Sequence, residues 1–465
     1  MNEQPFRKVD AMPTAASTLA KFASNLSFDA ISQETIDFSK MIVLDAVGAL
    51  LAASQSKYPT GEILATFAKT TGGVEESTVI GKGFKSSCVH AALVNGTMGY
   101  ACDIEPHHVE AITHTPAIMV PASLAVGERE GATGAEFLLA VILGIDVACR
   151  VSLALDARKL YARGFHPTAI AGSFGAAVAA GRLLGLRPER FQIALGLAGN
   201  QTAGLLSWKQ DDTETSRPFN PGIAARNGVT AALLASMGFG GPPEIFEGHY
   251  HIFGAYSDGV PNLEPLTSEL GKRFTITEHA FKLYACCSFL HPGLDAFLRI
   301  LDEESLPSQE IDSIVLRFPA AGAYLIDGLD LRSHSAQYVF AVAASRRGVR
   351  FDDILNDRSS EPEIARLIDR VKVVGDAELD RDFPDRYTSI VEVGTTGGRH
   401  FSDRVVHAKG TPENPLTWDE VVEKFRALTE SVIAGPAAGE IVNVVRKIES
   451  LADVRQLGDR LRSPT

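Results

Sequence analysis

Cysteine is scarce and unpatterned in this chain. Its 465 residues hold five, Cys88, Cys102, Cys149, Cys286 and Cys287, an odd number without C-x-x-C spacing. That argues against a disulfide framework or a zinc ribbon and fits a reducing cytoplasm. Basic charge is also short: 44 Lys and Arg against 57 Asp and Glu leave a net charge of -13, so neither nucleic acid nor an anionic membrane is expected as the main partner. A small anion stays compatible with that balance, because local Arg, Lys and His can reverse the sign inside a cleft. No clean membrane-length apolar run occurs. The most hydrophobic stretch, Phe137 to Leu155, is interrupted by Asp146 and Arg150 and reads as a buried helix, and the opening MNEQPFRKVDAMP has no apolar core of signal-peptide type. Neither HExxH nor a Gly-rich phosphate loop in strand–turn–helix order is found; GKGFKS at Gly81 to Ser86 lacks the required order. No metal and no organic cofactor are expected.

What is present is an ordinary globular composition, 45% hydrophobic and 22% charged, in a chain long enough for two domains. Ser32 to Ala53 begins with a Ser cap and continues with helical apolar spacing. Ser86 to Met98 and Pro121 to Glu130 are helix-like, and Thr133 to Glu136 has capping-box spacing before the long apolar helix. YARGFHPTAIAGSFGAAVAAGRLLGL, from Tyr161, is so poor in bulky side chains that its helix must approach a neighbour closely. The stretch from Gly204 to Gly222 is polar, with Pro218 and Pro221 expected to break regular structure, and Lys209, Asp211 and Asp212 read as a solvated loop. Ile311 to Phe318, Arg370 to Val374, Ser389 to Val393 and His400 to Val406 read as strands, the last two joined at Gly397-Gly398. Thr417 to Glu420 matches a second capping box, and amphipathic spacing then runs to about Leu461. The fold class is therefore mostly α: residues 1–270 and 405–465 form a discontinuous all-helical domain, and residues 271–404 a smaller α+β lid.

Chemistry concentrates in NGTMGYACDIEPHHVEAITHTPAIMVP, Asn95 to Pro121. His107, His108 and His114 lie beside Asp103 and Glu105 between two apolar helices, in a loop bounded by Pro106 and Pro116. A histidine exchanges protons near neutral pH, and a carboxylate beside it fixes its tautomer. His166 precedes an Ala/Gly helix, where the positive dipole end favours neutral imidazole. Arg217 and Asn220 precede another helix, a place suited to holding an anion. Lys282 leads through Cys286 and Cys287 to His291.

These segments, in order NGTMGYACDIEPHH, H-T-P, RGFHPTAIAGSFGAAVAAGRLLGL, NQTAGLL, RPFNPGIAARNG, GFGGPPEIFEG and K-L-Y-A-C-C-S-F-L-HPGLDA, together resemble the MmgE/PrpD family over most of the chain. The resemblance implies a cofactor-independent enzyme acting on a small polycarboxylate, with a helical domain, an α+β lid and a homodimeric assembly. It places Asp103, His114, His166, Lys282 and His291 on family positions. The chain also departs from the pattern: the acidic run shrinks to Asp103-Ile104-Glu105-Pro106, His107 replaces a threonine, Arg217 and Asn220 replace a lysine and a histidine, and Ser288 replaces an arginine.

Guanidinium does not deprotonate, so the Lys-to-Arg change removes a proton-transfer group. A 2-methylcitrate dehydratase or a cis-aconitate decarboxylase needs such groups more than an epimerase does. The sequence reading therefore favours an epimerase, iminodisuccinate epimerase within the family, that removes and returns the proton α to a carboxylate. In it a base comes from His107, His114 or His166, Asp103 orients one of them, Arg217 and Lys282 clamp carboxylates, and Asn220, Cys286 and His291 complete the pocket. The lyases are the alternative, and a polycarboxylate-binding protein is the non-enzymatic one. An iron–sulfur lyase would need three cysteine ligands, whereas only Cys286 and Cys287 lie near each other, and adjacent His107 and His108 do not share a helical face for a metal.

Overall fold

The computed structural model describes residues 13–55, 58–211, 215–381, 383 and 386–462. Asp212 and the first twelve residues, on which the leader reading rests, lie outside them.

The helical body forms where small residues let backbones meet. Five helices, Cys88–Ala101, Pro116–Glu130, Gly134–Ala154, Pro167–Leu183 and Ser216–Ser236, pack on one another. A Cβ placed on Gly222 would lie 2.0 Å from Thr97 Oγ1 and 2.6 Å from the Leu93 carbonyl; one on Gly228 would lie 2.5 Å from the Ala177 backbone nitrogen. Helix Ser216–Ser236 is thereby pressed between Cys88–Ala101 and Pro167–Leu183, and bulkier side chains would push it off. Gly228→Ala is expected to lower stability by about 1–3 kcal/mol through overpacking, measured by urea denaturation at unchanged m-value.

Helix ends follow local chemistry. Ser32 caps Gln33–Ala53 by accepting from Thr35 N–H, and Thr133 and Glu136 form a reciprocal capping box. Proline misleads in two places. Pro116, expected to break the chain, opens its helix at the first position, where a missing N–H costs nothing; Pro121, expected to start that helix, lies inside it. Pro218 and Pro221 likewise sit within Ser216–Ser236, so Arg217 and Asn220 belong to the helix's opening turns and do not precede it. Before Cys88–Ala101, Phe84–Ser86 is a short strand paired with Ser77–Val79, and Ser87 is the cap.

Gly134–Ala154 is long and apolar enough to cross a membrane, but it is buried inside the body. Its two charges are internal fasteners. Arg150 pairs with Asp146 at 2.7 Å and donates to the carbonyls of Pro265, Ser268 and Arg273, while Asp146 accepts from Thr275 N–H. The five cysteines are buried free thiols.

Beyond Lys282 the architecture changes to a four-stranded sheet in the order Val371–Asp376, Ile311–Pro319, Ser389–Thr395, His400–Val405, with the first pair parallel and the others antiparallel. Helix His291–Glu303 covers the last two strands. The chain then returns: Trp418–Thr429 and Gly435–Arg446 lie on Gln33–Ala53, and the Leu461 and Arg462 carbonyls accept from Gly81 and Gly83.

Candidate active site

Close packing of three helices brings their ends together. The last turn of Cys88–Ala101 supplies Tyr100, the N-cap of Pro167–Leu183 is His166, and the first turn of Ser216–Ser236 holds Arg217. Two helix N-termini thus face the loop that carries Asp103, a setting that favours anions.

Asp103 takes a left-handed backbone (φ 51°), which Asp tolerates better than most residues. Its carboxylate accepts from Lys282 Nζ at 2.6 Å and lies 3.4 Å from an Arg217 nitrogen, and its carbonyl is 3.3 Å from the same Lys282. Burial alone would raise its pKa, but Lys282 and then Arg217 outweigh it and hold the carboxyl ionised, well below the ordinary range. Burial would likewise discharge Lys282; Asp103 and Glu105 overcome it and keep the ammonium charged. Arg217 also lies over the Tyr100 ring, 5.0 Å from its centroid.

Glu105 behaves oppositely. It is fully buried, neither oxygen meets hydrogen-bond geometry, and His114 Nδ1 lies 2.6 Å from its Oε1. That contact is off the axis of an ideal hydrogen bond but close enough for proton exchange. Burial raises the carboxyl to about 8; Lys282 opposes the rise and Asp103 adds to it. That rise favours the acid form of Glu105 near neutral pH. His114 is held well below its ordinary value by burial and then Lys282, so the pair consists of a neutral acid and a neutral base. Sequence reasoning gave Asp103 the task of orienting a histidine. Asp103 is committed to the two cations, and the carboxyl beside His114 is Glu105.

His107 stacks on His114 with ring centroids 5.5 Å apart and is also kept neutral, by burial and then Lys282. Its strand partner is Ala280, which ties the loop to the segment leading into Lys282. His166 is pushed down to about 3, by burial foremost and then by His114 and Arg217. The direction is the one expected at a helix start, but desolvation is the main cause. Asn220 Nδ2 lies 3.3 Å from His166 Nδ1. Asp103, His107, His114, His166, Arg217, Asn220 and Lys282 are therefore brought together.

Other candidates stand further out. His108 bonds to Glu278 at 3.2 Å and accepts from Ala111 N–H, a structural arrangement. His291, lowered to about 3 by burial and then Lys282, is 3.4 Å from the Cys286 carbonyl. The Cys286 thiol is fully buried and raised well above its ordinary value, by burial and then Cys287, so it is poorly suited to proton transfer. A cavity of about 440 Å³ reaches His107 and His291 from between the helical body and the strand layer, and Arg158 and Arg386 help line it. That volume suits a small polycarboxylate. Among the described residues no group of three His, Cys, Asp or Glu is placed to hold a metal ion.

His334 is among the groups that the sequence did not single out. His334, in the turn Arg332–His334, is pushed down to about 4 by burial, with Asp103, Arg217 and Lys282 also acting on it. A lone histidine in a polar stretch gives no signal of this.

Residues 17–264 match the MmgE/PrpD N-terminal domain and residues 284–450 the C-terminal domain. The chain belongs to the MmgE/PrpD family. Similar members include a cis-aconitate decarboxylase of Aspergillus terreus, 26% identical across 98% of this chain and 97% of its own length. A cis-aconitate decarboxylase-like protein oryM of Aspergillus oryzae is 27% identical across 94% and 95%, and the human cis-aconitate decarboxylase is 25% identical across 94% and 92%. In this MmgE/PrpD member the two departures that looked like losses, Arg217 and Asn220, both face the cluster: Arg217 approaches Asp103 and Asn220 approaches His166.

Proposed function

We propose that the protein is a cofactor-independent lyase that decarboxylates a small unsaturated polycarboxylate, with cis-aconitate as the first candidate. The observation carrying this reading is the contact of buried Glu105 with His114, 2.6 Å, beside the Asp103, Lys282 and Arg217 cluster, in a setting where burial favours the acid form of the carboxyl. An epimerase was favoured by the loss of proton-capable groups, and Glu105 supplies one. Similarity to proteins named cis-aconitate decarboxylase supports the same choice.

In this mechanism Lys282 and Arg217, in excess of Asp103 by one positive charge, bind the retained carboxylates. The leaving carboxylate lies among uncharged imidazoles, where losing its charge as CO₂ is favoured over keeping it. Its bond to carbon breaks, and the electron pair spreads into the neighbouring double bond and its carboxylate, which the cations stabilise. A proton from Glu105, relayed by His114, closes the carbon valence; Glu105 is then reprotonated from water. The net change is one carboxylate and one proton converted to C–H and CO₂.

Arg217→Ala is expected to raise KM by about 10–100-fold, the loss of a charge-assisted hydrogen bond, and to lower kcat as well, because the same cation stabilises the charge that develops as CO₂ leaves. Steady-state kinetics checks it.

One observation favours a second reading. His107 and His166 are both neutral bases near His114, the first stacked on it and the second across the Tyr100 ring. One could remove an α-proton that the acid returns to the opposite face, which is epimerisation, of iminodisuccinate for instance. A CO₂-release assay over a panel of di- and tricarboxylates, with iminodisuccinate and 2-methylcitrate included, tests the choice. Release from cis-aconitate or a close analogue is expected. Water loss or inversion without CO₂ would overturn the decarboxylase, and binding without turnover would indicate a polycarboxylate-binding protein.

A further inference from the structure

The back of the acidic loop is held by a charge pair that the mechanism has not used. Lys424, on helix Trp418–Thr429, is buried, donates to Asp45 Oδ2 on helix Gln33–Ala53, and donates at 2.8 Å to the carbonyl of Ile104. Ile104 stands between Asp103 and Glu105. Desolvating two charges costs several kcal/mol each, and a well-packed apolar pair is often as stable or more so, so stability alone is a poor reason for this arrangement.

We propose that Asp45 and Lys424 are positioning residues for the reaction: Lys424 pins the Ile104 carbonyl so that Glu105 stays against His114 and Asp103 against Lys282, while Asp45 anchors the lysine and cancels its charge beside Glu105. The inference rests on the acid role given to Glu105 above.

The electrostatics agree with the geometry. Burial raises Asp45 to about 6 against the pull of Lys424, with Glu105 adding to the rise; burial lowers Lys424, with Asp45 and then Glu105 opposing. Glu105 is faced by Asp103 on its own loop, by His114, by Lys282 and Arg217, by Tyr100 and Cys102 on or next to helix Cys88–Ala101, and by this pair. Within that set, Asp45→Asn leaves Lys424 uncompensated beside Glu105 and favours ionised Glu105. Adding Lys424→Met removes the extra charge.

The test is an infrared pH titration of the buried carboxylic acid in the full chain, assigned by its loss in Glu105→Gln and needing no substrate. Asp45→Asn is expected to move the midpoint down by about one pH unit or more. The double variant Asp45→Asn with Lys424→Met is expected to return it towards wild type, and Lys424→Arg to leave it in place. A midpoint unmoved by Asp45→Asn, or a shift that Lys424→Met does not reverse, overturns the proposal. In turnover, Lys424→Met is expected to lower kcat by about 10-fold or more with KM little changed, and Lys424→Arg to restore it. A wild type without polycarboxylate turnover defeats the lyase reading instead, and the titration still decides the positioning role.

Discussion

Replacing Glu105 with Gln is expected to lower kcat by about 10²–10⁴-fold, the usual contribution of a positioned general acid, with KM little changed. The substitution keeps the volume and removes the proton. Glu105 is raised to about 8, foremost by burial, so the acid form is present below that value and is lost as pH rises through it. Wild-type kcat is therefore expected to fall above about pH 8, and the residual activity of Glu105→Gln is expected to lack that alkaline limb. A pH–rate profile of both proteins measures the two effects together. Wild-type turnover in the Glu105→Gln variant would remove Glu105 from the mechanism.

The second large effect is expected from Lys282→Met. Lys282 is the nearer of the two cations on Asp103, at 2.6 Å against 3.4 Å for Arg217, and all three side chains are buried. Removing Lys282 takes away the closer cation and leaves buried Asp103 with Arg217 alone at 3.4 Å, a loss of up to about 3–5 kcal/mol. A sharp fall in Tm and loss of turnover are both expected. Lys282→Arg keeps a cation on Asp103 and is expected to regain much of the Tm without regaining full turnover, because guanidinium does not reproduce the compact ammonium contact. Calorimetry alongside kinetics separates the two contributions. Unchanged turnover in Lys282→Met would mean that the pair serves stability alone.

Much of the scaffold was legible because it depends on local chemistry. Capping residues at Ser32, Thr133 and Thr417 marked helix starts, and alternation located the four long strands to within a residue or two. The prolines misled because the same ring that interrupts a helix interior is accommodated in a first turn, as at Pro116 and Pro218. The loop from Asp103 to His114 could be picked out as chemical, and His166, Arg217 and Lys282 were named with it. The division of labour between its carboxylates could not. Asp103 and Glu105 are two residues apart, yet one is held ionised by two cations and the other is raised by desolvation. That difference arises from tertiary packing, to which spacing along the chain is blind. Lys424 was hidden for a similar reason: on an amphipathic helix a lysine reads as solvated, whereas this one turns inward to Asp45 and Ile104.

The central claim is that this site breaks a carbon–carboxylate bond and protonates the carbon left behind. Proton NMR of the purified protein with cis-aconitate in D₂O tests it most directly. The expected result is loss of CO₂ with one deuterium delivered to a single carbon of the product, and loss of that conversion in Glu105→Gln. Deuterium exchange or inversion at an α-carbon with every carboxylate retained would contradict it.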